Sequence, residues 1–322
     1  MKQAKQPSIA VIITTWNYPE IDRCLLSLKK EQKDYKNLKV IVVDNASKQN
    51  EAKRIRKKFN VETIRNKENY GFAKGNNIGI RYALKKFKPD YLFLLNDDTE
   101  VRSNAIKKMV EFAEQNESAG IIGCKLIYPD NRIQHAGGWI KPYGMGHYGN
   151  RETDKRQYDK TREVDYVTGA AFLIKREVIN RIGLLDEAFS PYFREEVDFC
   201  FRAKKAGYKI FYYPQSTIVH YTSMSIRRRV RAYTFFVFER TRLRLALLNF
   251  PVSWLIPFEI ASLAFIFVSK RDENMKLGIG NLAFNWDFPV KLAISLWAHL
   301  FTLIKLPEIL SKRFDRTKKI WY

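Results

Sequence analysis

Four groups of polar side chains in the 322-residue sequence have the types and spacing to do chemistry. Asn96-Asp97-Asp98 follows an apolar run at 91–95 and precedes Thr99-Glu100-Val101. Carboxylates on a turn at a strand end suit a hard divalent cation such as Mg²⁺ or Mn²⁺, which binds through one or two carboxylates plus phosphate oxygens. The same residues would also serve as a solvated turn, or as the cap of a helix starting near Asn104. Glu195-Glu196-Val197-Asp198 puts three carboxylates into one helical turn. Like charges raise one another's pKa, which fits a general base acting on a hydroxyl. An acidic helix start favoured by the helix dipole is the plainer reading. Phe193, Val197, Phe199 and Cys200 give the cluster apolar neighbours, which implies partial burial. Residues 69–79, NYGFAKGNNIG, hold three glycines and three asparagines around Tyr70 and Phe72. Glycine lets a backbone approach a ligand and asparagine tolerates a positive φ. The spacing is neither the Walker pattern nor G-x-G-x-x-G, so alone it reads as a tight turn capping a helix. His220 ends a short strand, where a lone histidine is more often structural than a ligand; His135 and His147 are weaker candidates.

Strand-like runs at 9–14, 38–43, 61–65, 91–95 and 119–126 alternate with helical spacing at 19–30, 51–59, 75–87 and 104–114. Continuous β-branched runs such as IAVIIT predict strands buried on both faces. The alternation predicts an α/β fold with a mostly parallel sheet and right-handed crossovers. Thr14-Thr15, Asp44-Asn45 and Asn96 to Asp98 then fall just past strand carboxyl ends, the edge at which open α/β sheets bind ligands. Residues 127–162, rich in Gly, Tyr and charge, predict a long excursion over that edge. Beyond it the pattern predicts an apolar return at 164–174, a helix at 176–182, the acidic helix within 191–206, and two strands at 209–213 and 217–220.

An apolar fraction of 46% with 14% aromatics supports a sizeable core, which excludes global disorder. The net charge of +23 predicts attraction to polyanions: nucleic acid, an anionic membrane surface, or phosphorylated substrates. Cys24, Cys124 and Cys200 are far apart and odd in number, so they read as reduced thiols of a cytosolic compartment. The polar first seven residues lack the apolar stretch of a signal peptide.

In order and spacing, several stretches resemble the family 2 glycosyltransferases, especially their rhamnosyltransferase-like branch. In the first half these are AVIITTWNYPE (10–20), VIVVDNAS (40–47), NYGFAKGNNIGI (69–80), LFLLNDDTEV (92–101) and GCKLIYPD (123–130). DYVTGAAFLIKREVINRIGLLDEAF (165–189) and EEVDFCFRAKKAGYKIFYYPQSTIVHYTSMS (195–225) follow. The resemblance implies a GT-A fold, a Rossmann-like central sheet flanked by helices, over residues 1–225. Its nucleotide-binding half would cover about 1–126 and its acceptor half about 127–225. Carried across by position, Thr14, Trp16, Asn17 and Asp44 would line the nucleoside pocket, completed by Gly71, Lys74 and Asn76 near the ribose or diphosphate. Asn96 and Asp97 would lie beside the diphosphate, with Asp98 and His220 as metal ligands for Mg²⁺ or Mn²⁺. Gly169-Ala170 would face the donor sugar. Glu196 takes the position of the base, with Glu195 as its rival. The implied reaction is an inverting transfer from a nucleotide-diphosphate sugar, dTDP-rhamnose or a UDP-sugar, to a glycan or lipid-linked hydroxyl.

Residues 226–322 change character: from Ser225 onward there are 17 Lys/Arg against 7 Asp/Glu, a net of +10 (17 − 7). Arg227-Arg228-Arg229 and Arg231 precede an aromatic run, and basic pairs flank the apolar segments 250–268 and 290–306. Pro251, Pro257 and Glu259 argue against a simple span in the first of these. Basic clusters beside apolar helices predict a helical region anchored peripherally at the cytoplasmic face of an anionic membrane. A helical appendage with a solvated basic face is the alternative. Two other classes fit less well: a catalytically impaired scaffold, given Asn96 and Glu196 at variant positions, and a polyanion-binding protein. No helix-turn-helix, RNA-binding or zinc pattern appears, so nucleic acid is not an expected partner.

Overall fold

The computed structural model describes residues 6–222, 232–268 and 288–318. The first unit is β1 (Ile9–Thr15), α1 (Ile21–Asp34), β2 (Leu38–Asp44), α2 (Glu51–Phe59) and β3 (Glu62–Arg65). It continues through α3 (Gly71–Lys86), β4 (Tyr91–Asn96), β5 (Thr99–Val101), α4 (Ala105–Gln115) and β6 (Ala119–Ile127). Three short strands follow, β7 (Ile133–His135), β8 (Gly138–Lys141) and β9 (Gly144–His147), and then β10 (Arg162–Glu163) and β11 (Ala171–Lys175). The sheet-bearing part ends with α5 (Arg176–Ile182), α6 (Glu195–Lys205) and β12 (Lys209–His220). Four C-terminal helices complete it: α7 (Ala232–Asn249), α8 (Val252–Val268), α9 (Phe288–Ile304) and α10 (Leu306–Lys318).

The main sheet runs β10-β12-β6-β11-β4-β1-β2-β3, with β5 on β12 and β7 on β6. β1, β2, β3 and β4 are mutually parallel. β11 enters antiparallel between β4 and β6, and β12 lies parallel to β6. The sheet is therefore mixed rather than mostly parallel: β1, β2, β3, β4, β6 and β12 run one way, and β5, β7, β10 and β11 run against their neighbours. Apolar residues fill both faces: Ala10 and Ile12 of β1 pack under α3, whereas Ile9, Val11 and Ile13 pack under α1 and α4. Side chains alternate across a strand, so burial on both faces requires the uninterrupted run IAVIIT. The three cysteines are free and buried.

Four further expectations need correction. The 69–79 stretch is not a turn ahead of a helix; α3 begins at Gly71 and contains most of it. Its glycines serve packing: a Cβ at Gly79 would lie 2.5 Å from Ile12 Cγ2, and one at Gly75 would lie 2.9 Å from Thr14 Cγ2. Residues 127–162 are not one open excursion, since β7 joins the main sheet and β8–β9 form a hairpin. Only Ala171–Lys175 of the apolar 164–174 stretch is a strand. The two strands expected at 209–213 and 217–220 are one, β12, carried through a register shift between Tyr213 and Thr217. Arg227–Arg229, Arg231 and Lys270-Arg271 lie outside the described residues.

Candidate active site

β4 runs out at Asn96, which sits opposite Thr14 of β1. The Asn96 backbone N–H donates to the Ala170 carbonyl at 3.0 Å, tying the 96–98 turn to the start of β11. Asp98 is 5% exposed and faces His220, whose Nε2 lies 3.0 Å from Asp98 Oδ1 and 3.3 Å from Asn96 Nδ2. β5 makes this meeting possible, because it pairs antiparallel with the end of β12 and sets Thr99 opposite His220. On the far side of the ring, His220 Nδ1 meets Gln134 Oε1 of β7 at 2.6 Å. A carboxamide oxygen only accepts, so the contact to Gln134 fixes the ring plane by a hydrogen bond from Nδ1 and leaves Nε2 facing the Asp98 carboxylate.

An imidazole nitrogen and a carboxylate oxygen that converge in this way can both be ligands of a cation. Among the described residues no three His, Cys, Asp or Glu side chains gather into a protein-only cage. Mg²⁺ and Mn²⁺ suit so sparse a set when phosphate oxygens complete their coordination. Asp97, half-buried beside Asp98, has its carboxyl held well above the usual range by burial and then by the Asp98 charge.

On the β1 side of the edge, Thr14 and Trp16 are partly buried and Asn17 is exposed at φ +51°. Asn17 bridges two loops: its N–H donates to Ser47 Oγ at 2.9 Å, and its Oδ1 accepts from Lys48 N–H at 2.8 Å. Asp44 lies beneath this bridge with no exposed surface. Its oxygens accept from Ser47 N–H at 2.8 Å, Ala52 N–H at 3.2 Å and Arg65 Nη1 at 3.1 Å. Asp44 thus shapes the wall from behind. Gly71, at φ +75°, is pressed against Pro191, where a Cβ would come within 2.5 Å of the carbonyl oxygen. Asn76 is buried and caps its own helix turn by donating to the Phe72 carbonyl at 3.0 Å, while Lys74 Nζ lies 3.7 Å over the Tyr70 ring.

The acidic helix closes the other side. A Cβ at Gly169 would lie 3.6 Å from Glu196 Cβ and 3.0 Å from Phe72 Cζ, so a bare backbone separates Phe72 of α3 from Glu196. Three neighbouring carboxyls meet three environments. Glu196 is partly exposed, and burial raises its pKa against the opposing pull of the Arg194 charge and the Val197 and Gly169 backbone N–H groups. Glu195 is 3% exposed, and among the described residues its Oε2 has no hydrogen-bond partner; burial and then the Glu196 charge push its pKa well up. Asp198 is also buried, which alone would raise it, but Arg202 and Arg316 hold it far below the ordinary value. Phe193 and Arg194, immediately before Glu195, both adopt positive φ, at 86° and 72°. Strained backbone of this kind persists only where the surroundings enforce it. Here Arg194 Nη1 donates to the Phe238 carbonyl at 2.8 Å and to Thr241 Oγ1 at 3.0 Å, both on α7.

Sequence reasoning missed Gln134, Arg194 and Asn77, the last of which locks α3 to Leu185 through both ends of its carboxamide. Gln134 and Arg194 stand in no motif, Asn77 lies within the 69–79 stretch without having been singled out there, and the partners of all three are distant in sequence. His135 and His147 face each other, Nδ1 to Nδ1 at 2.8 Å, in the interior, where burial lowers His147 to about 4.

Comparison with known proteins agrees with this geometry. The profile described as glycosyl transferase family 2 matches residues 10–183, more than half of the chain. The chain belongs to glycosyl transferase family 2. Within that family it is 30% identical over 217 residues to the dTDP-rhamnosyl transferase RfbF of Shigella flexneri, covering 66% of this chain and 69% of that one. It is 27% identical over 193 residues to the low-salt glycan biosynthesis hexosyltransferase Agl10 of Haloferax volcanii, covering 56% of this chain. The chain spans 61% of Agl10, and only 25% and 18% of two longer relatives. The mannosyltransferase PcManGT from Pyrobaculum calidifontis, solved with GDP-Man and Mn²⁺, superposes with a TM-score of 0.54 at 15% identity. That alignment covers 98% of this chain and 84% of the other, and it establishes the GT-A fold.

Proposed function

We propose that the protein is an inverting glycosyltransferase that moves a sugar from a nucleotide-diphosphate donor to a hydroxyl of a glycan or lipid-linked acceptor. The observation that carries this reading is the meeting of Asp98 and His220, 3.0 Å apart at one sheet edge, with Gly169-Ala170 and Glu196 alongside. The nucleoside would lie against Thr14, Trp16 and Asn17, over the loop that Asp44 supports, with Gly71, Lys74 and Asn76 bounding the pocket. Mg²⁺ or Mn²⁺, held by Asp98 and His220 with Asn96 and Asp97 beside it, would supply charge to offset the developing diphosphate. Glu196 takes the proton from the acceptor hydroxyl as that oxygen attacks the anomeric carbon. The attack comes from the face opposite the leaving diphosphate, so a single displacement inverts the anomeric centre and needs no covalent glycosyl-enzyme. Glu196 is the better base of the pair because it reaches the surface. Glu195 is buried beside it, where burial and then the Glu196 charge push its pKa well up.

The rhamnosyl and hexosyl relatives support dTDP-rhamnose or a UDP-sugar as donor and cell-surface polysaccharide as destination. We read residues 1–225 as the transferase domain and 226–322 as a helical region that rests peripherally on the cytoplasmic face of an anionic membrane. The Glu196→Ala variant tests the assignment: transfer is expected to vanish while nucleotide binding persists. Near-normal turnover by that variant would overturn it.

A further inference from the structure

Helix α9 turns polar residues inward and apolar ones outward, the reverse of a water-facing helix. Arg242 of α7 pairs at once with Glu239, at 2.9 Å, and with Glu259 of α8, at 2.7 Å. His299 of α9 reaches the same Glu259 at 2.9 Å, and Ser295 Oγ lies 3.3 Å from Glu239. Lys291, Ser295 and Thr302 of α9 are buried. Outward, the large exposed side chains of α9 are Val290, Leu296, Trp297, Leu300, Leu303 and Ile304, with Trp297 61% and Ile304 69% exposed. No exposed position of α9 carries a charge or a hydrogen-bonding group apart from the indole N–H. α8 presents Val252, Ile256 and Ile260 at helical spacing on its own outer face.

We infer that the outer faces of α8 and α9 insert into the acyl layer of one membrane leaflet, with Trp297 among the immersed residues. The inference rests on the membrane association proposed above and adds that contact is made by burial of apolar surface, beyond charge attraction. A protein partner fits less well, because protein interfaces carry about one hydrogen bond per 100–200 Å² and a polar rim, whereas among the described exposed positions of α8 and α9 only Ser253 and the Trp297 indole offer a side-chain hydrogen bond. Hydrocarbon asks for no such groups. Among the described residues no single helix is long and apolar enough to cross a membrane; the one pair with the length and composition to do so together, 289–304 with 306–316, is bent by 62° between its halves. At about 1.5 Å per residue, α9 is shorter than a hydrocarbon core of about 30 Å. A helix lying in the interface meets both constraints.

Flotation of the full-length protein with phosphatidylcholine vesicles, with and without phosphatidylglycerol, tests the inference. The protein is expected to float with both, and to stay bound in about 1 M salt, where the screening length falls to about 3 Å. Leu296→Glu combined with Leu300→Glu should abolish flotation. In the wild type, brominated lipid should quench a fluorescence component that Trp297→Phe removes, a reading that does not depend on how the double variant folds. Release by salt with no bromolipid quenching would leave only the charge-driven association and overturn insertion. A vesicle-free dimer that the double variant disperses would overturn it in favour of a second copy as occupant.

Discussion

Glu195 and Glu196 are adjacent in sequence and unequal in chemistry, because one is sealed and the other reaches the surface. Glu196→Gln is expected to lower transfer by about 10²–10⁴, the usual share of a general base. A base must be deprotonated, and burial raises the Glu196 pKa above 4.5. Turnover should therefore rise with pH along a limb centred above that value, and Glu196→Gln should remove the limb. The stability effect has the opposite sense: a carboxyl raised in the folded state contributes most at pH below its unfolded value, and that contribution is lost as pH rises. Gln134 orients His220 without reaching the reacting atoms. Gln134→Leu should weaken Mn²⁺ affinity by about 10–100-fold, as removal of such supporting groups does, measured by Mn²⁺ titration of the free protein. The Asn96-Asp97-Asp98 turn was legible as a candidate because acidic residues ended an apolar strand, and the family resemblance pointed to Asp98 within it. Gln134 was not, since its role depends on a partner 86 residues away on another strand.

At the scale of elements, α3 shows how composition misleads. Glycine is a poor helix former, so the glycine-rich stretch reads as a turn, yet close packing on β1 needs its missing side chains. Gly79→Ala is expected to destabilise the fold by about 1–3 kcal/mol through overpacking on Ile12 and Val43, read as a lower denaturation midpoint. A stability gain there would mean that helix propensity outweighs the contact. The parallel strands were legible because burial on both faces forces continuous apolar runs. β12 was not legible as one strand, because Pro214-Gln215-Ser216 interrupts the pattern while the backbone continues past it with a register shift.

For the whole molecule, two buried carboxylates fasten the C-terminal helices to the catalytic part. Asp198 of α6 holds Arg316 of α10 at 2.6 Å and accepts from Asn249 of α7 at 2.9 Å. Asp186 holds Lys312 at 2.6 Å and Arg244 at 3.0 Å. Removing one partner of a buried pair strands the other charge, so Asp198→Ala is expected to cost about 3–5 kcal/mol, read from chemical denaturation. Both carboxyls are held below their ordinary 3.8 by these cations, although burial opposes the shift. Their contribution is complete above that value and lost as pH falls below it, so acid should loosen the C-terminal helices. The surplus of basic residues after Ser225 was plain in the sequence. A charge count does not say which cations point inward, and Arg242, Arg244 and Arg316 do.

The donor site is tested most directly by calorimetric titration of UDP- and dTDP-sugars into the full-length protein, with and without Mn²⁺, for wild type, Asp98→Ala and Glu196→Gln. Binding to wild type and to Glu196→Gln should be alike and should require Mn²⁺. Asp98→Ala should bind at least about tenfold more weakly, a difference of about 1.4 kcal/mol. Metal-dependent binding by Asp98→Ala equal to that of wild type would contradict the assignment of the Asn96-Asp97-Asp98 turn as the diphosphate and metal site.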